Sequence, residues 1–206
     1  MSKIEWTNIT WNPSVGCTKI SPGCLNCYAE KFAKRLQGQG RRSYENGFKL
    51  TLLPERLNEP LRRKTPTMYF VDSMSDLFHH DIPDGYIKEV LDIISRAPQH
   101  IFQILTKRAE RMAAYFKTVQ PPRNAWLGVT VEDRKHGIPR IEHLREIDAA
   151  VRFLSVEPLL EDLRELDLSG IQWVIVGGES GPAARRMEAP WVESLRDQCF
   201  QQDIPF

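Results

Sequence analysis

Ile101-Phe102-Gln103-Ile104-Leu105, followed by Ala109, Met112, Ala113 and Phe116 at helical spacing, followed by Trp126-Leu127-Gly128-Val129-Thr130-Val131, is the passage that decides the fold. Two nearly continuous apolar runs flank a segment whose apolar residues recur at i, i+3, i+4 and i+7. That alternation marks buried parallel strands joined by an amphipathic crossover helix. Working outward, Met68-Tyr69-Phe70-Val71 precedes a helical set at Ile87, Val90, Leu91 and Ile94, with Pro83 near its start and Pro98 past its end. Downstream lie a helix around Ile141, Leu144 and Ile147, then Val151 to Val156, then Trp173-Val174-Ile175-Val176. A last helix begins near Pro190 with Val192, Leu195 and Cys199 on one face. At the start, Trp6 to Asn12 reads as a short strand, and Ala29, Phe32, Ala33 and Leu36 predict a helix that fades at Gly38 and Gly40. Residues 39 to 66, with Pro54, Pro60 and Pro66, read as irregular with one short helix. The whole chain, 1–206, is therefore expected to be a single α/β domain with about six parallel strands. A partial (β/α) barrel and a doubly wound open sheet both satisfy this alternation.

Composition sets bounds. The formal net charge of +1 gives no global attraction for a polyanion. The runs Arg41-Arg42 and Arg62-Arg63-Lys64 read as solvated surface first and as a nucleic-acid contact second. No apolar run reaches the ~18–20 residues needed to span a bilayer, and the polar start Met1-Ser2-Lys3-Ile4-Glu5-Trp6 has no signal-peptide core. A cytoplasmic location is expected, where clustered cysteines serve metals more often than disulfides.

Three of the four cysteines, Cys17, Cys24 and Cys27, fall in the loop Val15 to Tyr28, just past the first strand. In α/β folds the functional rim lies at the C-terminal ends of the strands. The residues just past the other apolar runs are Asp72 and Ser73, Thr106 and Lys107, Thr130 and Glu132, Ser155 and Glu157, and Gly177-Gly178-Glu179-Ser180. Cysteine loop and polar residues are thus expected on one rim. The paired glycines allow a close backbone approach to a ligand or simply a tight turn; the segment lacks the spacing of a phosphate-binding P-loop. Arg185 and Arg186 could take an anion but read as exposed. His79 and His80, as neighbours, would point to different faces of a helix and are expected to shape a pocket. Cys199 reads as a core thiol. No G-x-S-x-G, H-E-x-x-H or deaminase-type H-x-E with P-C-x-x-C is present.

A closed zinc site takes four ligands, and three thiolates are one short unless Cys199, His79 or His80 joins them. Three thiolates do suit a [4Fe-4S] cluster with one open iron. The chain resembles the three-cysteine-motif phage protein family, regarded as a divergent radical S-adenosylmethionine group. The resemblance is carried by Trp6-Thr7, Thr10-Trp11-Asn12-Pro13, Gly16-Cys17, Gly23-Cys24, Cys27-Tyr28-Ala29 and Met74-Ser75-Asp76-Leu77-Phe78, then Leu105-Thr106-Lys107-Arg108, Leu127-Gly128-Val129-Thr130, Ser155-Val156-Glu157-Pro158-Leu159 and Gly177-Gly178-Glu179-Ser180-Gly181. It implies a partial (β/α) barrel of the radical S-adenosylmethionine type, shortened at the C-terminus because members continue past the final Pro-Phe. It also implies a [4Fe-4S] cluster on Cys17, Cys24 and Cys27, S-adenosylmethionine as cofactor, and an electron donor such as flavodoxin or ferredoxin. On that reading Gly177, Gly178 and Glu179 hold the methionine or ribose end, and Tyr28 sits beside the adenine. Asp72, Thr106, Thr130 and Glu157 line the cofactor and substrate cavity. The substrate is open, with nucleic acid as one candidate. The alternative is a zinc-stapled binding module of phage origin without catalysis.

Overall fold

The computed structural model describes residues 4–206. Six parallel strands form one sheet: β1 (Ile9–Trp11), β4 (Met68–Val71), β5 (Ile101–Thr106), β6 (Ala125–Thr130), β7 (Val151–Val156) and β8 (Trp173–Val176). Their order in space follows their order in the chain. A doubly wound sheet reverses its strand order at a switch point, and no reversal occurs here. Right-handed crossovers between sequential neighbours place their connections on one face of the sheet. Helices α2 (Asp84–Ser95), α3 (Ala109–Phe116) and α4 (Arg134–Arg145) make three of these connections, and α5 (Ala189–Gln201) follows the last strand. Between β7 and β8 no helix forms; a loop covers the sheet there with buried Leu159, Leu163, Leu166 and Leu168.

The segment 39–66 holds short 3-10 turns and a two-residue strand, β3 (Thr51–Leu52), instead of the expected helix. β3 pairs antiparallel with β2 (Ser14–Val15). These lie under the cysteine loop and α1 (Tyr28–Gly38), where Val15, Ala29, Ala33, Tyr44, Leu53 and Met74 form a satellite core. The main core fills the space between helices and sheet, with Trp11, Phe102, Ile104, Leu127, Val129 and Leu154 projecting from the strands.

The other face of the sheet is concave. Trp6, just ahead of β1, puts its ring 4.6 Å from Phe70, 6.5 Å from Phe153 and 6.3 Å from Trp173 (centroid distances). Six flat strands at ~4.8 Å spacing would hold the outer two about 24 Å apart. Contact between a residue beside β1 and one on β8 therefore requires a strong curl. The edges β1 and β8 do not pair, so no closed barrel forms. Room for Phe153 comes from Gly128, its register partner on β6: a Cβ there would lie 2.4 Å from the phenyl ring. Gly128→Ala should destabilise the fold by about 1–3 kcal/mol, measured by denaturant unfolding. Adding Phe153→Leu should recover part of that loss, a coupling that independent sites would not show.

Candidate functional site

The rim at the C-terminal ends of the strands is assembled by bonds from one loop to the next. Asn12 Oδ1, past β1, accepts from Ser73 Oγ and from Met74 N, both at 3.0 Å. Ser14 donates its N–H (2.9 Å) and hydroxyl (3.0 Å) to the two oxygens of Asp72. Gly16 then passes so close to the chain at Lys49 that a Cβ would lie 2.2 Å from its carbonyl oxygen; its φ of +85° suits glycine alone. The next residue is Cys17. A 3-10 turn over Pro22–Cys24 carries Cys24, and Cys27 is the N-cap of α1.

Cys17, Cys24 and Cys27 are all half-buried and line one cavity of about 800 Å³. The same cavity is lined by Tyr28, Asp72, Thr106, Thr130, Glu157, Gly178 and Glu179. Gly177 instead packs behind Glu157, where a Cβ would lie 2.7 Å from Glu157 Cγ. Trp6, Phe70 and Trp173 form an aromatic wall of the cavity. Cys199 lies apart in the main core, its thiol pushed up to about 11 by burial.

Arg108, just past β5, ties this rim to the first cysteine. Its Nη1 donates to Cys17 Sγ (3.4 Å) and to Asp76 Oδ2 (3.0 Å), and its Nη2 donates to Thr18 O and Oγ1. Asp76 also accepts from Thr106 Oγ1 (2.7 Å) and from the amides of Phe78 and Lys107. Thr106 thus brackets the Asp76–Arg108 pair. Burial pushes the Cys17 thiol up to about 11, aided by Asp76 and opposed by the Arg108 guanidinium. Thiolate ligation there must therefore supply the deprotonation that burial resists.

Glu179 is fully engaged by the protein. Arg185 gives it a backbone N–H (2.9 Å), Nε (3.0 Å) and Nη2, and Asn26 gives Nδ2 at 2.8 Å. The Arg185 bond is the main reason its carboxyl is pulled down to about 2. Arg185 Nη2 also reaches Pro22 O, and Asn26 Nδ2 reaches Ala183 O. The loop after β8 therefore clamps the cysteine loop. Arg185 is not the free surface cation its sequence position implies, whereas Arg186 is exposed and paired with Glu188.

Glu157 is held above the usual carboxylate range by burial, with the Trp6 side chain bonding to it and Lys107 nearby in opposition. Lys107 Nζ reaches Thr130 Oγ1 at 3.3 Å. Ser155 Oγ, also on the cavity wall, is buried and has no partner among the described residues. His79 and His80 sit in a turn, not a helix, so their rings stack at 4.3 Å. With Asp81 they form, among the described residues, the only group of three such ligand atoms within 4.8 Å of one another. His79 is buried, with Nε2 2.9 Å from Thr18 Oγ1, and its imidazole is held below the ordinary range mainly by burial.

Sequence reasoning located the strand-end residues. It missed the contacts of Arg108, Asn26 and Arg185, which join positions far apart in the chain. The one available signal was a cation immediately past a strand end, at Arg108.

No helix of the described residues is long and apolar enough to cross a membrane. The profile of a family described as "Protein of unknown function (DUF5131)" matches residues 1–206. Neither a curated protein nor a solved structure matches the chain.

Two expectations test this geometry. Burial is the main reason the Asp72 carboxyl is pushed up to about 7, against the two bonds from Ser14. An unfolded Asp titrates near ~3.9, so between about pH 4 and 7 the folded chain keeps a proton that the unfolded chain releases. Stability is therefore lost as pH rises through that window and is level above it. Asp72→Asn should remove this part of the slope and raise stability at pH 8 by about 2–4 kcal/mol relative to wild type. Asn tolerates the φ of +54° at this position, and denaturant unfolding from pH 4 to 8 reads the difference. Secondly, Arg185→Ala should speed amide exchange at Cys24 and Leu25, whose N–H groups close the Ser21 and Pro22 turns. Exchange in β5 and β6 should not change.

Proposed function

We propose that this chain, which belongs to the DUF5131 family, is an iron–sulfur protein of the radical S-adenosylmethionine type, with its sheet acting as a partial (β/α) barrel. One observation carries the reading: three half-buried thiols line a single cavity of about 800 Å³, and the fourth cysteine is in the core. The volume is that of a cofactor-sized pocket.

The spread of the thiols counts against a single tetrahedral ion. Tetrahedral zinc with bonds of ~2.3 Å would draw its sulfurs to about 3.8 Å from one another. The three Sγ atoms do not all lie within 4.8 Å of one another. A cluster that takes one thiolate on each of three irons spreads its ligands further. A reduced [4Fe-4S] cluster held there would supply the one electron that cleaves a C–S bond of S-adenosylmethionine into methionine and a 5′-deoxyadenosyl radical, the species that would take hydrogen from a substrate.

The chain's own residues divide the remaining work. Cys17, Cys24 and Cys27 supply the thiolates. The Arg108 guanidinium offsets charge at Cys17 through its N–H···S bond. Glu179, Asn26 and Arg185 hold the loop that carries Cys24 and Cys27. Lys107, Thr130, Ser155 and Glu157 line the same cavity as the thiols, and the aromatic wall of Trp6, Phe70 and Trp173 keeps water from one side of it. Tyr28 is pinned by its hydroxyl to Ser73 O at 2.6 Å, which holds its ring in the cavity wall.

Anaerobic reconstitution should give a brown protein with about four iron and four sulfide per chain that bleaches under dithionite. With S-adenosylmethionine it should release 5′-deoxyadenosine. Cys24→Ala should abolish the cluster. A colourless protein carrying one zinc, or a Cys24→Ala variant with full cluster content, would overturn the proposal.

A further inference from the structure

The sequence pattern places Phe32 on the buried face of α1 together with Ala29, Ala33 and Leu36. The structure does not: Ala29 and Ala33 are buried, but Phe32 is 47 % exposed. Tyr28 (48 %), Leu25 (60 %) and Ile20 (44 %), in the segment leading into the helix, are exposed as well. Four of the seven exposed large apolar side chains among the described residues thus fall between positions 20 and 32. Such a concentration marks an interaction surface.

The charge of that surface is equally uneven. Residues 17–49 hold seven Lys or Arg against two Glu, a net +5, and the rest of the chain carries −4. Glu30 is engaged by Lys19 and Lys34. Lys31, Arg35, Arg41 and Arg42 are exposed and make no ion pair among the described residues. Tyr28, Lys31, Phe32 and Arg35 stand at i, i+3, i+4 and i+7, so they share the outward face of α1. The strip starts at the cavity wall, which includes Tyr28. Lys31 Nζ lies 3.5 Å from where a Cβ on Gly181 would be, over the loop that follows β8. At the far end, Arg41 N bonds back to Leu36 O, which keeps Arg41 and Arg42 beside the helix terminus.

We infer that this outward face of α1 binds single-stranded nucleic acid and leads it to the cavity, which makes nucleic acid the substrate class. That assignment as substrate rests on the cluster reading above. Two rings one helical turn apart, about 6 Å, offer successive bases of an extended strand one ring each. Tyr28 is fixed by its bond to Ser73 O and so stacks with little loss of freedom. Lys31 and Arg35, also one turn apart, meet the backbone phosphates, and Arg41 and Arg42 extend the track. An acidic protein would match the charge but gives no reason for exposed rings to alternate with cations. The second basic run, Arg62-Arg63-Lys64, precedes β4 and lies toward the opposite end of the sheet. It supplies an internal control.

The test is fluorescence anisotropy with fluorescein-labelled 15-mer oligo(dT) and oligo(U), on cluster-loaded and cluster-free protein. Wild type should bind both, with a log–log salt slope of about −3 from four phosphate contacts at ~0.7 each. Lys31→Glu with Arg35→Glu should weaken binding at least about tenfold and flatten the slope. Phe32→Ala should weaken it about tenfold with the slope unchanged. Arg62→Glu with Lys64→Glu should stay within about twofold, and circular dichroism should match wild type throughout. Absence of binding at 50 mM salt, an equal loss in the control pair, or preferential capture of an acidic ferredoxin by the same face would overturn the inference. Binding needs neither iron nor turnover, so the two readings fail separately. A colourless chain that binds the oligonucleotide counts against the cluster alone, and a brown chain that ignores it counts against this inference alone.

Discussion

The packing of Trp6 against Phe70, Phe153 and Trp173 is the contact on which the architecture depends. A parallel sheet of six strands twists but does not by itself bring its edges together. Here an aromatic wedge from the N-terminal segment touches residues of β4, β7 and β8, with Gly128 leaving space for the Phe153 ring. Gln103, buried on the same face, donates Nε2 to Trp6 O at 3.0 Å and so fixes the wedge at its backbone as well. The concave face is consequently filled near the N-terminal ends of the strands and open toward their C-terminal ends. The cavity is what remains above the aromatic layer.

The rim above that layer uses polar groups mainly as scaffold. Charged side chains at 10 % exposure or less, such as Arg108 and Asp76, carry a large desolvation cost that only close pairing offsets. The pairing is met by threading each loop to another: Ser14 to Asp72, Arg108 to both Asp76 and Cys17, Glu179 to Asn26 and Arg185. Removing one member leaves a buried charge uncompensated, so these loops form a mutually dependent frame around the thiols. Ser155 Oγ, by contrast, is the group on this wall left without a protein partner among the described residues.

How much of this was legible follows from the range of the interactions. Strands and helices came through because apolar periodicity is local: Ile101 to Thr106 and Ala109 to Phe116 announce themselves within a few residues. The choice between a doubly wound and a sequential sheet did not, because strand order depends on which edges meet after folding. The cysteine loop could be placed at a strand end from its position past β1. Its clamp could not, since Asn26 and Glu179 are 153 positions apart. The strand-end position of Gly177-Gly178-Glu179 puts the segment on the rim, where Gly178 and Glu179 line the cavity and Gly177 packs behind Glu157. That Glu179 is also bonded to Arg185 and Asn26 is not legible from position alone.

Phe32 is the most instructive departure. A helical wheel counts apolar residues and cannot say how wide a face the partner surface covers. The satellite core beneath α1 is small, built of Val15, Tyr44, Leu53 and Met74, and Ala29 with Ala33 suffices to seat the helix closely against it. A bulky ring at position 32 falls outside that footprint. At 47 % exposure the ring forgoes roughly half the burial energy of a phenylalanine, about 1 kcal/mol. The cations on either side of the ring in the helix, Lys31 and Arg35, are also exposed and make no ion pair among the described residues. Exposed rings and unpaired cations are thus gathered on one helix face that begins at a cavity wall, the arrangement the proposed nucleic-acid contact would use. That is why this face, more than the buried rim, carries information about the molecule the protein meets.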